Sequence, residues 1–505
     1  MSEEVKDIQA ESTAASQTSS YRSIFKATSL FGGVQVYQII VSVIKSKFIA
    51  VLLGPLGVGI QGLYQSALHF IQSLTAMGLH ASAVRDVSEA NGTGDLNKVA
   101  MVVKTLRRLV WCTGLLGLLV VVAFSPILSR TSFGNNEHIV PFICLSVTLL
   151  LDQICSGQKV VLQGMRRLKQ LAMASAIGST ASLFVSVPLY YFYGVKGIVP
   201  TLILNSITLL TLSWYYARQV SLPQISLTYK ETFQRGKGML KMGLAMSWSN
   251  ILVFGCAYVL RWFIRVETGT EAVGLYTAGF AIIGTYVGMV FNAISADYYP
   301  RLAAVNDNNE KLNHTVNQQG VVAFLILTPM LLVCIVFMPI VIQILYSKEF
   351  LDANDFVVVA AVGMMFKLGS WLISYQFIAK GESRLFVVNE TITNVYFLVL
   401  NVLGYRLMGL SGLGCAFLLS YLIYFIQAYI IAKKKYGFSI SSELQRIMVI
   451  QLVFVLVCFG VTLVHNQMLT YLVGCLLIVG CSLFSLNELN RHLDLISILK
   501  NRRHK

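Results

Sequence analysis

Long runs of apolar residues recur along the chain from Ile24 to Leu486, each close to the roughly 20 residues that a helix needs to cross a bilayer. The runs are continuously apolar and do not alternate at ten-residue spacing, so they predict transmembrane helices and not barrel strands. Fourteen spans are predicted. They cover roughly residues 24–53, 57–84, 107–128, 138–161, 168–193, 196–217, 242–265, 271–298, 318–346, 353–379, 384–406, 408–432, 446–464 and 467–486.

Composition excludes a soluble enzyme. Hydrophobic residues make up 56% of the 505 residues and charged residues only 12%, with a mean hydropathy of +0.69, whereas soluble domains are about 25% charged. The net charge of +16 would suggest a nucleic-acid partner in a soluble protein, but anionic headgroups explain it in a membrane protein. We therefore expect the lipid bilayer as a partner, and no nucleic acid.

Cysteines and histidines form no chemical motif. The nine cysteines are odd in number and all fall inside apolar runs, and the seven histidines lack the spacing of metal ligands. We interpret the cysteines as small buried hydrophobic residues. The sequence predicts no metal, no cofactor and no catalytic residue.

Positive side chains indicate the orientation of the spans. With the N-terminus placed in the cytoplasm, the loops on that side hold most of the 39 lysines and arginines. The opposite loops hold few: Arg130, Lys196, Arg265, Lys348 and Arg406. Because cytoplasmic loops carry the cationic excess, both termini are predicted to be cytoplasmic. The outer loops are short, the longest running from about residue 129 to 137, which leaves no room for an outer catalytic domain.

Three polar segments adjoin the predicted spans. Residues 1–22 lack the apolar core of a signal peptide and are predicted to be a disordered cytoplasmic tail. Residues 97–108 and 489–499 place apolar residues on one side with cations nearby, which predicts two helices lying in the inner interface.

A weak internal repeat relates the two halves at an offset of 215 residues. The matched pairs are Phe48 and Phe263, Ile49 and Ile264, Val51 and Val266, Gly54 and Gly269, Val58 and Val273, Gly59 and Gly274, Gly194 and Gly409, and Gly197 and Gly412. A gapped match pairs Gly164, Arg167 and Leu168 with Gly381, Arg384 and Leu385. The repeat predicts two six-helix lobes with the same membrane orientation and a cleft between them, an arrangement that suits alternating access. The predicted boundaries are 23–218 and 242–435 for the lobes, 219–241 for a cytoplasmic linker, 444–488 for two further spans and 489–505 for a basic tail.

Five cations fall within spans and not at their inner ends: Lys45, Lys47, Lys159, Arg261 and Lys367. Each costs about 2.5–3.5 kcal/mol at mid-bilayer, so we expect them to face water or a partner. Polar residues share helix faces with several of them. These faces carry Gln35, Gln38, Ser42 and Lys45 in span one, Ser247, Asn250 and Arg261 in span seven, Lys367, Ser370 and Ser374 in span ten, and Glu390, Asn394 and Asn401 in span eleven. Together they predict a cationic, amide-rich cavity for an anion that carries hydroxyl groups.

Some of these charges have simpler explanations. Lys47 lies off the polar face of the first span and Lys159 lies near an inner helix end, so both can extend to the headgroup layer. Asp152 and Glu390 can neutralise neighbouring cations, or can couple transport to protons or sodium.

Several motifs resemble a known family. They are residues 46–59 (SKFIAVLLGPLGVG), 273–276 (VGLY) and 297–302 (DYYPRL), 366–369 (FKLG) and 378–381 (IAKG). In order and content they are similar to those of bacterial O-antigen and enterobacterial common antigen translocases. These proteins are lipid-linked oligosaccharide flippases of the multidrug/oligosaccharidyl-lipid/polysaccharide exporter superfamily.

The resemblance implies a V-shaped pair of six-helix lobes in the bacterial inner membrane and no covalent chemistry. It implies that undecaprenyl-pyrophosphate-linked sugar units move from the inner to the outer leaflet, with polysaccharide polymerase and chain-length machinery as further partners. The charged positions that match the family are Lys47, Asp297, Lys367 and Lys380. Lys47 and Lys367 would contact pyrophosphate or an acidic sugar, and Asp297 would balance charge or couple transport to an ion. The two extra helices would hold the polyprenyl tail.

Three other functions fit parts of the pattern. A drug or metabolite antiporter of the same superfamily would carry acids in its first lobe, where Asp152 is the only mid-span acid. A lipid II flippase would share the features of an oligosaccharide flippase. A polysaccharide polymerase or ligase would need an ordered outer surface with acid and base groups, which the short outer loops do not offer.

Overall fold

The computed structural model describes residues 3–493, with gaps at 289, 292–293, 295–297, 299–300, 303 and 465. Side chains are described for these residues except 3–32, 35, 245–246, 286, 383 and 492–493. Throughout the described part the regular structure is helical and contains no strand. The predicted all-α class is therefore confirmed.

Thirteen α-helices, numbered here in chain order, have defined bounds within the described residues. They are α1 (Glu3–Thr75), α2 (Leu79–Gly92), α3 (Leu96–Phe133), α4 (Ile139–Gly164), α5 (Leu168–Tyr193), α6 (Ile198–Arg218), α7 (Tyr229–Thr268), α8 (Thr270–Ala281), α9 (Asn309–Leu345), α10 (Asn354–Ala379), α11 (Ser383–Tyr436), α12 (Ser442–Thr462) and α13 (Gln467–Leu493). Shorter turns are 3₁₀-helical at Gly194–Gly197 and Lys348–Ala353, and π-helical at Ile282–Val287.

Nine helical ranges in the described part of the chain are long and apolar enough to cross a membrane, and a bent pair within α7 adds a tenth. Three of these ranges are long enough to cross about twice: Val36–Thr75, Leu168–Arg218 and Arg384–Tyr436, of 40, 51 and 53 residues. Glycines with positive φ interrupt them at Gly54, Gly194 and Gly409, and each range corresponds to two predicted spans. The protein is thus a multi-pass membrane protein whose number of crossings is close to the predicted fourteen.

The backbone shows the predicted repeat. Gly54 (φ 62°, ψ −174°) has nearly the conformation of Gly269 (φ 104°, ψ −179°), 215 residues later. Gly194 (φ 53°, ψ −132°) likewise matches Gly409 (φ 61°, ψ −139°). A side chain would make these conformations costly, so glycine is favoured at both members of each pair. Equivalent positions of the two halves therefore make the same turn.

The gapped part of the predicted repeat is wrong. Arg166 (φ 55°), and not Gly164, takes the place of Gly381 (φ 70°). The backbone hydrogen bonds around both turns match at the offset of 215: Arg167 N–H to Leu162 O at 2.8 Å, and Glu382 N–H to Phe377 O at 3.0 Å. The sequence match aligned glycine with glycine, whereas the first half makes this left-handed turn with an arginine.

The predicted interfacial helix 97–108 is not a separate element. Its residues form the first turns of α3, which begins after Asp95, whose carboxylate accepts a hydrogen bond from the Asn97 N–H at 2.9 Å. Neither glycine nor proline occurs in this segment to end the helix. A separate short helix occurs instead at α2, which follows left-handed turns at Met77 and Gly78. The second predicted interfacial helix, 489–499, lies mostly outside the described residues.

The chain divides into two compact units. The first consists of Met1–Leu53 and Tyr64–Phe254, and the second of Gly54–Leu63 and Gly255–Lys505. The first unit ends inside α7, because the first half of α7 packs on α2. A Cβ added at Gly243 would lie only 2.2 Å from the carbonyl oxygen of Met77. The predicted lobe boundaries and the 219–241 linker stay predictions. The segment 1–22, predicted to be a disordered tail, is helical from Glu3 as the first part of α1, and its side chains are outside the described part.

Helices within the second unit differ in burial. In the most apolar window of Lys348–Ala379, which contains α10, 78% of the residues are buried, against 17% for Gln467–Arg491 in α13. Because α10 is surrounded by protein, a polar residue on it contacts other side chains and not lipid. The helix that carries Lys367 is therefore suited to build a site.

Candidate functional site

Lys367 lies on α10 among three aromatic rings. Its Nζ is 5.8 Å from the ring centroid of Phe291, 5.7 Å from that of Phe417 and 5.2 Å from that of Tyr421. Each such contact contributes about 0.5–2 kcal/mol, depending on how far the cation is desolvated. The rings stabilise the ammonium group without neutralising its charge, so it still attracts an anion.

Arg261 lies on α7 and is also held by neutral groups. Its Nε donates to Thr277 Oγ1 at 3.4 Å and its Nη1 to the Ala257 carbonyl at 3.2 Å. The guanidinium lies 5.4 Å from the ring centroid of Tyr276. None of these three contacts brings a negative charge, so the arginine also keeps its positive field.

Tyrosines connect these two cations to an acid within the second unit. The Tyr276 and Tyr421 hydroxyls lie close enough for a charge on one to affect the other, and the same holds for Tyr421 and Tyr424. The Tyr424 hydroxyl donates to Glu390 Oε1 at 3.3 Å. Three ionisable residues that were predicted separately, on α7, α10 and α11, therefore belong to one group. We call it the tyrosine-linked cluster: Arg261, Lys367, Glu390, Tyr276, Tyr421 and Tyr424.

Amides extend this cluster along α11. Asn389 Nδ2 donates to the Tyr424 hydroxyl at 3.2 Å, and Gln427 Nε2 donates to Asn389 Oδ1 at 2.7 Å. The predicted polar residues Asn394 and Asn401 instead donate to carbonyls of their own helix, at 2.9 and 2.7 Å. With two cations and one carboxylate, the cluster has an excess of positive charge and several neutral hydrogen-bonding groups. It suits a ligand that carries both an anion and hydroxyl groups.

The polar face of the first span contacts α5 within the first unit. Lys45 Nζ donates to Ser182 Oγ at 2.6 Å, and the Tyr37 hydroxyl lies 2.6 Å from Thr180 Oγ1. Gln38 and Lys47 are half-buried, whereas Asn250 on α7 is exposed. The side chain of Gln35 is outside the described residues.

Asp152 on α4 has basic side chains near it in the first unit. Its carboxylate is hydrogen-bonded to Ser206 and interacts electrostatically with His69 and Lys159. Lys159 also interacts with His80 on α2, whose Nδ1 lies 3.1 Å from Ser156 Oγ. This arrangement favours the charge-balancing explanation for Asp152, because the cation Lys159 lies near its carboxylate.

Two family-like charges lie elsewhere. Lys380 Nζ donates to the Asn306 carbonyl at 2.6 Å and lies 5.3 Å from the Tyr436 ring centroid, which ties the end of α10 to the turn before α9. Its role in these contacts is structural. Asp297 is outside the described residues, and its predicted role stays a prediction. Within the described part of the chain no group of three or more His, Cys, Asp or Glu residues could hold a metal ion.

Sequence reasoning missed the aromatic half of the site. Phe417, Tyr421 and Tyr424 follow a 4, 3 spacing on α11, which places them on one helix face. That stripe is visible in the sequence, but aromatic residues on a transmembrane face most often pack against lipid or neighbouring helices. Only the position of Phe417 and Tyr421 around Lys367, and the hydrogen bond of Tyr424 to Glu390, show that they belong to the site.

Comparison with known proteins adds three findings. A family model described as "Polysaccharide biosynthesis protein" matches residues 48–355. The lipid III flippase of Escherichia coli (strain K12) is 23% identical over 408 residues, which cover 75% of this chain and 91% of that protein; the lipid III flippase of Shigella flexneri matches equally.

Solved structures show the same fold. An inward-facing multidrug resistance MATE family transporter of the MOP superfamily superposes with a TM-score of 0.67 at 16% identity, over 79% of this chain and 94% of that one. The lipid II flippase MurJ in an inward closed conformation superposes with a TM-score of 0.66 at 15% identity, over 92% of this chain and 99% of that one. At these identities the likeness concerns the fold.

Proposed function

We propose that this chain, which belongs to the polysaccharide biosynthesis protein family, is a flippase for lipid-linked oligosaccharides. Its substrate would be a sugar unit on undecaprenyl pyrophosphate, an O-antigen or related repeat unit, carried from the inner to the outer leaflet of the bacterial inner membrane by alternating access. The observation that carries the proposal is the tyrosine-linked cluster. Arg261 and Lys367 supply positive charge without an acid hydrogen-bonded to either in the contacts described above.

The chemistry of the cluster matches the two ends of such a substrate. Pyrophosphate is a dianion or more, and its oxygens accept from guanidinium and ammonium groups. Sugar rings present hydroxyl groups to amides such as the half-buried Gln427, and apolar C–H faces to aromatic rings such as the half-buried Tyr421. Glu390, already bonded to Tyr424, keeps the net charge low enough for the product to leave. The cavity predicted between the two lobes, and the orientation of both termini in the cytoplasm, stay predictions.

The test measures translocation by purified protein in proteoliposomes. A polyprenyl-pyrophosphate oligosaccharide is added on one side, and its appearance in the opposite leaflet is followed by accessibility to a membrane-impermeant glycosidase. Lys367→Ala and Arg261→Ala should each slow translocation at least about tenfold, the loss expected for a hydrogen bond to a charged group. Lys367→Arg should retain more activity than Lys367→Ala because it keeps the charge.

A matched control is Lys433→Ala. Lys433 lies near the end of α11, and its Nζ is 5.8 Å from the Tyr429 ring centroid, so it makes the same kind of contact outside the cluster. Lys433→Ala should translocate normally. If the double variant Lys367→Ala, Arg261→Ala performed like this control, the cluster would not be the substrate site.

A cation-coupled antiporter is the second candidate, favoured by the acid Asp152 in the first unit. The surroundings of Asp152 weaken that interpretation, because the nearby Lys159 offsets the charge of the carboxylate. Efflux of a cationic dye from cells that express the protein would discriminate. Dye efflux that Asp152→Asn abolishes, with no translocation of oligosaccharide, would establish the antiporter in place of the flippase.

A further inference from the structure

A second cationic site lies in the first unit, away from the tyrosine-linked cluster. An open cavity of about 1320 Å³ is lined by the N-terminal half of α3, the segment 222–226 and the start of α7. Pockets for small ligands typically measure about 300–1,000 Å³, so this one can hold more than a single small ion. Its basic residues are Lys104, Arg107 and Arg108.

Two of these cations hold the walls of the cavity together. Lys104 Nζ donates to the carbonyl of Ile225, which ties α3 to the segment 222–226. Arg108 Nη1 donates to Thr232 Oγ1 at 2.6 Å, and its guanidinium lies 4.5 Å from the Tyr229 ring centroid. Both contacts are to neutral groups, so they shape the cavity but leave its charge in place.

Arg107 is placed to bind a ligand. It lines this cavity and also a smaller neighbouring one that contains Arg218, and the described residues offer it no hydrogen-bond or ion-pair partner. No acid lines either cavity. Glu231 is on the first turn of α7, between the lining residues Tyr229 and Thr232, but its side chain is fully exposed and accepts from the Thr228 N–H at 2.8 Å. The cavity therefore holds three positive charges that no carboxylate in its lining balances.

An apolar strip begins where the cations end. Trp111, Leu115 and Leu119 follow Arg107 at four-residue intervals along α3 and are 51%, 43% and 61% exposed. One helical turn, about 5.4 Å, separates the guanidinium-bearing residue from the first of them. A phospholipid has the same order of parts, since its phosphate lies a few bonds from the start of its acyl chains. A free phosphate would use the cations alone and leave this strip unexplained.

We propose that this cavity binds an anionic phospholipid of the surrounding leaflet. Its headgroup phosphate lies on Arg107, between Lys104 and Arg108. One acyl chain follows Trp111, Leu115 and Leu119 into the bilayer. By bridging α3 and the segment before α7, the lipid fastens the connection that precedes α7. This inference is independent of the proposed transport function, because it concerns residues outside the tyrosine-linked cluster.

The test counts lipids bound to the full-length protein, purified in a neutral detergent, by native mass spectrometry. Phosphatidylglycerol should bind more tightly than phosphatidylcholine. Arg107→Gln should lower the affinity for phosphatidylglycerol at least about tenfold, the loss expected for one charge-assisted hydrogen bond. The matched control is Arg130→Gln, at the other end of α3, where Arg130 Nε donates to Asn136 Oδ1 at 2.9 Å in an exposed loop. It should bind phosphatidylglycerol like the wild type.

A second measurement follows the acyl chain. Phosphatidylglycerol brominated on its chains should quench the tryptophan fluorescence of the wild type, and Trp111→Phe should remove the phosphatidylglycerol-specific part of that quenching. Equal binding of the two phospholipids, or equal affinities of Arg107→Gln and Arg130→Gln, would overturn the proposal. Displacement of the lipid by millimolar inorganic phosphate would overturn it in favour of a free-anion site, and displacement by equimolar undecaprenyl pyrophosphate in favour of a carrier site.

Discussion

A helix crossing in the second unit allows a sharp test of the fold. Residues 54–63 of α1 cross the start of α8 with their backbones in contact. A Cβ added at Gly274 would lie 1.9 Å from the Pro55 carbonyl oxygen, and one added at Gly59 would lie 2.0 Å from the Thr270 carbonyl oxygen. At the offset of 215 residues, Gly59 corresponds to Gly274 and Pro55 to Thr270, so each pair repeats the other with the helices exchanged. The crossing therefore has local two-fold character.

The expected cost of Gly274→Ala follows from these distances. Ordinary contacts of a Cβ begin at 3.4 Å, so the helices must separate by more than about 1 Å. A gap of that size forfeits a quarter to a half of the dispersion energy of the atoms involved. We therefore expect the free energy of unfolding to fall by about 2–3 kcal/mol, near the upper end of the usual cost of overpacking. Backbone carbonyls cannot rotate away as a side chain could.

The assay is denaturant unfolding of the purified protein in detergent micelles, with Gly460→Ala as the matched control. Gly460 lies within α12 with no atom within 4 Å of an added Cβ, so its replacement should be neutral or stabilise by up to about 1 kcal/mol. The double variant Gly59→Ala, Gly274→Ala should cost less than the sum of the two single changes, because one separation of the helices relieves both clashes. Equal stabilities of Gly274→Ala and Gly460→Ala, or additive costs in the double variant, would refute the close backbone crossing.

Three further outcomes are expected. Gly409→Ala should lower the free energy of unfolding by about 1–2 kcal/mol relative to Gly460→Ala, because φ is 61° at this position; no difference would contradict the left-handed break. Burial lowers the pKa of His138 below its ordinary 6.5, so the unfolded state takes up the proton first as pH falls. The melting temperature should therefore be lower at pH 5.5 than at pH 7.5, and the difference should be smaller in His138→Asn. Arg446→Gln should lower the free energy of unfolding by about 1–2 kcal/mol, because its partner Glu488 is only 5% exposed, although Arg446 itself is 52% exposed. In the same assay, adding Glu488→Gln to Arg446→Gln should restore part of the lost stability.

Hydropathy was sufficient to predict most of the fold. Every predicted span overlaps a helix, because a continuously apolar segment satisfies its own backbone hydrogen bonds in a bilayer by forming a helix. Helix ends were harder to predict. The second span was expected to end near residue 84, but the chain turns at Met77 and Gly78 and begins α2. Hydropathy does not register such a turn, since both sides of it are apolar.

The candidate site could be predicted only in part. Lys367, Arg261 and Glu390 stood out because a charge within an apolar run is costly. Their grouping could not be derived from sequence, because it depends on how α7, α10 and α11 pack. The partners of Arg261 and Lys367 are aromatic or neutral, and such residues are too common in transmembrane helices to be noticed.

The two halves share their turns but not their chemistry. Lys45 of the first half donates to a serine hydroxyl, whereas Arg261 of the second half lies against a tyrosine ring. At the offset of 215, Arg261 is one residue away from the position equivalent to Lys45. Both halves have glycine at these helix breaks because the positive φ of Gly194 and Gly409 disfavours other residues. Side chains on the helix faces are under no such backbone constraint. A duplicated scaffold of this kind can therefore preserve its bends while one half acquires the cations and aromatic rings that an asymmetric substrate, anionic at one end and hydroxylated at the other, would require.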